Sequence, residues 1–112
     1  MPYIAQAYRD KLDPYITQLA DALAAEVVDE ENELAYAGLL NYAITRTSLL
    51  VIKNLFGTKL KYMNIALLTG IMENVKQEFY ERLGTEVERD RRRANGDVDV
   101  IEDFQEELTS LI

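Results

Sequence analysis

Apolar residues recur every three or four positions along most of the chain, and this spacing places them on one face of an α-helix. Polar or glycine-containing breaks separate the apolar stretches. The pattern predicts helices over about 14–28, 33–55 and 59–93, and another from Asp99 or Val100 onward. Only Val98 and Val100 alternate in the way that would suit a short extended piece. The sequence therefore predicts an all-α protein.

The ends of the first two helices carry recognisable signals. Asp13 suits an N-cap, and Pro14 suits the first helical position because the amide there needs no hydrogen-bond partner. The second helix is apolar on nearly every side, as expected for a central helix. We expect Gly57 to end it and Thr58 to cap the next helix.

The third helix is long for a chain of this size. Its residues, about 59–93, would extend about 50 Å at 1.5 Å per residue, whereas a compact domain of this length has a radius of gyration near 13 Å. We therefore expect the helix either to bend at Gly84 or to project beyond its own core. Projection would leave Leu83 and Val87 to be covered by another chain, so both are candidate interface residues.

The acidic tail, residues 97–112, is expected to form a short amphipathic helix. Ile101, Phe104, Leu108 and Leu111 fall on one face of it. That face needs a surface to pack against, which makes Phe104 and Leu108 candidate oligomer-interface residues as well. Together the elements predict one helical domain over residues 1–112. Its architecture is a bundle built on the antiparallel pair 33–55 and 59–93, with a packed N-terminal helix and a short C-terminal helix.

Composition narrows the chemistry. The chain has no histidine and no cysteine, which removes the commonest general base, the commonest metal ligand and all thiol chemistry. The net charge is −8, and an acidic chain as a whole repels nucleic acid. The charge is uneven: residues 46–76 carry five bases and one acid, and residues 97–112 carry six acids and no base. We expect the basic middle to pair with an acidic end of its own or of a neighbouring chain.

No stretch is apolar enough to suggest a membrane protein. The best candidate, residues 34–56, is interrupted by Asn41, Arg46 and Lys53. The N-terminal residues lack the basic segment and apolar core of a signal peptide. We therefore expect a cytoplasmic protein that does not bind a membrane.

A set of polar positions on the two long helices is the strongest candidate site. Asn41 and Thr45 share a face of the second helix, and antiparallel pairing about Gly57 would place Asn41 opposite about residue 73. We expect either a buried polar network that fixes the helix register or a ligand site, with a solvated face as the third alternative. The residues concerned are Asn41, Tyr42, Thr45, Arg46, Glu73, Lys76 and Tyr80.

Other charged clusters are more easily explained as helix surface. Residues 78–93 hold five acids and five arginines, with Glu86–Arg89 at i, i+3 and Glu88–Arg92 at i, i+4. This balance predicts an exposed helix with salt bridges and argues against a nucleic-acid site. The run over residues 30–33 does not match the Glu-Glu-x-x-Glu motif of helical nucleotide pyrophosphohydrolases. We therefore expect no metal, no cofactor and no catalytic residues.

Four sequence blocks, taken together, resemble a known family. They are Met-Pro-Tyr-Ile at residues 1–4, Gly-Leu-Leu-Asn-Tyr-Ala-Ile-Thr at 38–45, Lys-Gln-Glu-Phe-Tyr-Glu-Arg at 76–82 and Asn-Gly-Asp-Val at 95–98. In that order they resemble a family of small uncharacterised bacterial and phage proteins, a domain of unknown function. The resemblance covers about residues 1–98; the chain departs from it at Leu39, where the family usually has an acid, and in the extra tail. It implies a bacterial or phage cytoplasmic setting and no chemistry.

The apolar faces exceed what one chain of three or four helices covers, so we expect a non-enzymatic assembly or interaction protein. A homo-oligomer, with a dimer favoured, would bury them. The alternative is a small-molecule or metal-dependent nucleotide-binding or nucleotide-hydrolysing protein that uses a polar pocket between the two long helices. A third hypothesis is an adaptor that binds a host or phage protein through its acidic ends.

Overall fold

The computed structural model describes residues 2–111, which form helices joined by short turns, with no strand in that range. Met1 of the Met-Pro-Tyr-Ile block and Ile112 of the tail lie outside the described residues. The all-α prediction is confirmed. The elements in chain order are α1 (Gln6–Glu30), α2 (Ala35–Phe56), α3 (Tyr62–Phe79), a π-helical segment (Tyr80–Gly84), α4 (Thr85–Asn95) and α5 (Asp99–Ser110).

The first helix begins well before the predicted start. Pro14 lies inside α1, and Asp13 is a helical residue instead of the N-cap. A proline at this position removes one hydrogen bond, to the carbonyl of Asp10. The helix persists because Pro14 is exposed, so water has access to that part of the backbone. Near the beginning of α1, Arg9 Nε donates a hydrogen bond to the Ile4 carbonyl oxygen at 2.9 Å and so ties the helix to the residues before it.

The turns between the first helices follow from local backbone chemistry. Glu31 ends α1 with φ 54°, and its amide donates to the Val28 carbonyl at 3.1 Å. Asn32 Oδ1 then accepts a hydrogen bond from the Leu34 amide. Gly57 ends α2, as predicted. The prediction that Thr58 caps the next helix is wrong, because α3 begins only at Tyr62.

The long third helix changes its winding near the predicted bend. A π-helical segment separates α3 from α4, and Gly84 is its last residue. The Thr85 hydroxyl donates to the Tyr80 carbonyl at 2.9 Å across this segment. A Cβ at Gly84 would lie 3.1 Å from Tyr80 Cδ2, so the glycine makes room for the tyrosine ring. Short π segments of this kind occur often at functional positions in helices.

The described residues divide into two compact units, a first unit up to residue 72 and a second unit from residue 73 onward, with the division inside α3. In the first unit, α1 contacts α2, and α2 and α3 line a common groove. In the second unit, α4 continues the π segment and α5 follows a short turn at Gly96. The extended antiparallel packing of α2 on α3 is not confirmed, and the single domain over 1–112 stays a prediction.

Very little of the chain is buried. Over residues 2–111, Ala43 is the one buried apolar residue and Asn64 the one buried polar residue. Helix α2 exposes an apolar stripe formed by Leu40, Ile44, Val51 and Leu55. A large apolar surface of this kind marks an interaction site on most proteins.

Candidate functional site

Four of the predicted site residues lie on α2, in the first unit. Asn41, Tyr42, Thr45 and Arg46 all have exposed side chains. The Thr45 hydroxyl donates to Asn41 Oδ1 at 3.4 Å, which is long for a bond between two oxygen atoms. Since both residues belong to one helix, this contact stabilises the helix surface and does not join two helices.

Three of these residues also line a shallow groove of about 350 Å³ along α2, which we call the α2 groove. Its lining residues are Tyr42, Thr45, Arg46, Leu49, Leu50 and Lys53. Leu49, Leu50 and Lys53 were not among the residues predicted for a site. The signal was present in the spacing, because Tyr42, Arg46, Leu49 and Lys53 follow i, i+4, i+7 and i+11 on one face.

The remaining predicted site residues lie in the second unit. Lys76 Nζ is 3.3 Å from Glu73 Oε1, and the two side chains are 74% and 55% exposed. An ion pair with this exposure adds little stability. Tyr80 begins the π segment, and its exposed ring lies beside Gly84.

The buried polar network stays a prediction. Its members are exposed in the single chain, from Asn41 and Arg46 on α2 to Glu73 and Lys76 on α3. The hydrogen bonds that they make, Thr45 to Asn41 and Lys76 to Glu73, lie within one helix. Burial of these side chains would require cover by a second molecule.

The groove shared by α2 and α3 has a volume of about 330 Å³ and lies near the place predicted for a polar pocket. Its lining residues are Ile44, Thr45, Ser48, Leu49, Leu68, Thr69 and Met72. None of these side chains titrates in the physiological range, so the groove lacks a general acid or base. The Thr69 hydroxyl donates to the Ile65 carbonyl at 2.8 Å and is already engaged within its own helix.

The arginine-rich helix α4 pairs its charges along its own surface. Arg89 Nη1 lies 3.2 Å from Glu86 Oε1, which confirms that predicted pair, and Arg93 Nη1 lies 3.4 Å from Asp90 Oδ1. A groove of about 640 Å³ runs along α4 to the start of α5 and has both signs of charge. Its charged lining residues are Glu88, Arg89, Arg91, Arg92 and Asp97. This mixture supports a salt-bridged helix surface.

The four interface candidates are uncovered in the single chain. Leu83 and Val87 are 65% and 50% exposed, and Phe104 and Leu108 on α5 are 67% and 62% exposed. All four belong to the second unit. Their exposure leaves them available to a partner, and their role as an interface stays a prediction.

Within residues 2–111, no three carboxylates lie close enough together to hold a metal ion. No helix of the described part combines the length and apolar character needed to cross a bilayer.

Comparison with known proteins places the chain in a family without assigning it a chemistry. Neither the curated proteins nor the solved structures gave a match. The family comparison, however, matches residues 1–98, which is the region covered by the four sequence blocks and excludes α5. The chain therefore belongs to the family described as a domain of unknown function, DUF6899.

Proposed function

We propose that the chain is a non-enzymatic assembly module that works as a homo-oligomer, with a dimer favoured. The observation that carries this proposal is the near absence of buried apolar side chains in the described residues. We propose that this assembly works in the cytoplasm of a bacterium or an infected bacterial cell, a setting that the resemblance of the four sequence blocks supports.

The apolar stripe on α2, which we call the α2 stripe, would be stabilised by pairing with a second copy, because pairing buries its exposed side chains. Leu40, Ile44, Val51 and Leu55 are 44%, 42%, 50% and 68% exposed. Full burial of one such side chain stabilises a folded state by about 1.5–3 kcal/mol. Helix pairing across this stripe therefore supplies a driving force for association. It also explains why α2 keeps an apolar surface on several sides.

A second stripe on α3 extends the apolar surface of the first unit. Met63, Leu67 and Ile71 repeat every four residues and are all more than half exposed. Side chains at this spacing lie on neighbouring turns of one helix face. A stable interface buries at least about 1,200 Å² in total, so we propose that a second copy covers both stripes.

The alternative of an enzyme or small-molecule binder has less support. Ligand sites are concave and combine apolar walls with a few convergent polar groups. The α2–α3 groove has no ionisable side chain, and the polar residues of the α2 groove are exposed. We therefore favour assembly over catalysis.

Substitution in the α2 stripe tests the proposal. Ile44→Asp places a charge on the surface that pairs, and we expect the mass in solution to fall to that of one chain, since a buried unpaired carboxylate is costly. Analytical ultracentrifugation measures this mass. Gln18→Asp, at an exposed position of α1, introduces the same charge away from the stripe and should leave the oligomer intact. Equal masses for Ile44→Asp and the unmodified chain would contradict the assignment of this stripe.

A further inference from the structure

We propose, resting on the self-association proposed above, that α5 of one copy docks into the α2 groove of a second copy. The acidic helix α5 of each copy would then cover the α2 groove of the other copy. Two such contacts related by a twofold axis form an isologous interface, the commonest arrangement in homo-oligomers.

The two surfaces match in their apolar character. Ile101, Phe104, Leu108 and Leu111 follow i, i+3, i+7 and i+10 along α5, and all four are exposed. In the α2 groove, Leu49 and Leu50 are exposed beside Tyr42. An amphipathic helix that lies in an apolar groove is a recurrent mode of recognition, and its anchors have this spacing.

The charges of the two surfaces are complementary. The α5 helix, Asp99–Ser110, holds five acids and no base, whereas residues 34–72 hold four bases and no acid. Arg46 and Lys53 lie one turn to either side of Leu49 in the α2 groove. On α5, Asp103 and Glu107 border the apolar face one turn apart. Complementary charges of this kind steer association and fix the orientation of the bound helix.

The extent of the family match points to a separate role for α5. The matched region ends at residue 98, and α5 begins at Asp99 with Val98 as its N-cap residue. The whole helix therefore lies outside the region that matches the family. A helix with one apolar and one acidic face is suited to binding the basic, apolar surface that the matched region exposes.

Disulfide trapping between copies tests the proposal directly, because the natural chain has no cysteine. Full-length Leu49→Cys and Phe104→Cys chains are prepared separately, mixed and oxidised, and intact mass spectrometry detects the mixed disulfide. A disulfide forms only when the two Cα atoms approach within about 7 Å. We expect the mixed pair to cross-link at least severalfold more than Leu49→Cys mixed with Thr109→Cys, since Thr109 lies on the polar face of α5.

Light scattering on the same samples separates the two proposals. A dimer that cross-links Leu49→Cys no better with Phe104→Cys than with Thr109→Cys overturns α5 docking and leaves self-association standing. A chain that is monomeric overturns both. If Leu49→Cys/Phe104→Cys in one chain closes a disulfide within a monomer, α5 covers its own chain and the docking between copies is wrong.

Charge reversal provides a second measurement that needs no cysteine in the groove. Arg46→Glu/Lys53→Glu should weaken the dimer by roughly two- to tenfold, because two favourable pairs become repulsive. Adding Asp103→Lys/Glu107→Lys to that variant should restore the affinity. Failure of the second pair of changes to restore any affinity would contradict the proposed charge pairing.

Discussion

At the end of α2, Gly57 has φ 77° and ψ −157°, and its amide donates to the Lys53 carbonyl at 2.8 Å. This region of backbone conformation is essentially restricted to glycine, because a Cβ would clash with the neighbouring peptide. The residue thus ends the helix and directs the chain toward Lys61. Because Gly57 has no Cβ, it can adopt the backbone conformation that ends α2.

Gly57→Ala should lower the free energy of unfolding by about 1–3 kcal/mol, which is the usual cost of a disfavoured backbone conformation. Urea denaturation at a fixed protein concentration measures the loss. Gly70→Ala is the matched control, because Gly70 lies inside α3 with nothing within 4 Å of an added Cβ. The control should be neutral or slightly stabilising, and an equal loss in both variants would contradict the account of Gly57.

At the scale of the element, α1 shows that a helix can continue through a dipeptide whose composition is typical of a helix start. The dipeptide Asp13-Pro14 has the composition of a helix start, yet α1 begins at Gln6 and continues through both residues. Local capping rules describe one end of one helix. They do not take into account that the residues before Asp13, from Ala7 to Leu12, can themselves be helical and extend α1 toward the N-terminus.

Pro14→Ala should raise the stability of the folded chain, by up to about 3 kcal/mol, since it restores the hydrogen bond to the Asp10 carbonyl and removes the clash of the ring. Thermal unfolding followed by circular dichroism measures the change. Thr17→Ala, at an exposed position one turn later, controls for helix propensity alone. A lower melting temperature for Pro14→Ala would mean that the proline marks a true helix start.

The helices were predictable where apolar residues repeat at helical spacing or where a glycine marks a helix end. The apolar repeat identified α2 and α5, and Gly57 correctly marked the end of α2. The π segment at Tyr80–Gly84 was not predictable, because one extra residue in a turn leaves no clear mark in the spacing of apolar positions. The length of the third helix predicted either a bend at Gly84 or projection beyond the core, and Gly84 is the last residue of the π segment.

The site was predictable only in part. Tyr42, Thr45 and Arg46 were singled out and do line one groove. Leu49 and Lys53 were not, although their spacing of seven and eleven residues from Tyr42 places both on the same face of α2. Tertiary packing decides which polar residues of different helices contact each other. A periodic sequence pattern does not determine that packing.

At the scale of the whole molecule, the dominant feature is the exposed apolar surface. Leu55 on α2 is 68% exposed and Phe104 on α5 is 67% exposed, although both lie on helix faces with apolar neighbours. Folded chains normally remove such side chains from water, because their burial is the largest favourable contribution to stability. We propose that contacts between copies supply this missing burial.

Multi-angle light scattering on the unmodified chain, diluted across the micromolar range, tests this claim most directly. We expect a mass near twice the 12.8 kDa of one chain, with dissociation to monomers only at high dilution. A folded, helical species with the mass of a single chain at every concentration would contradict it.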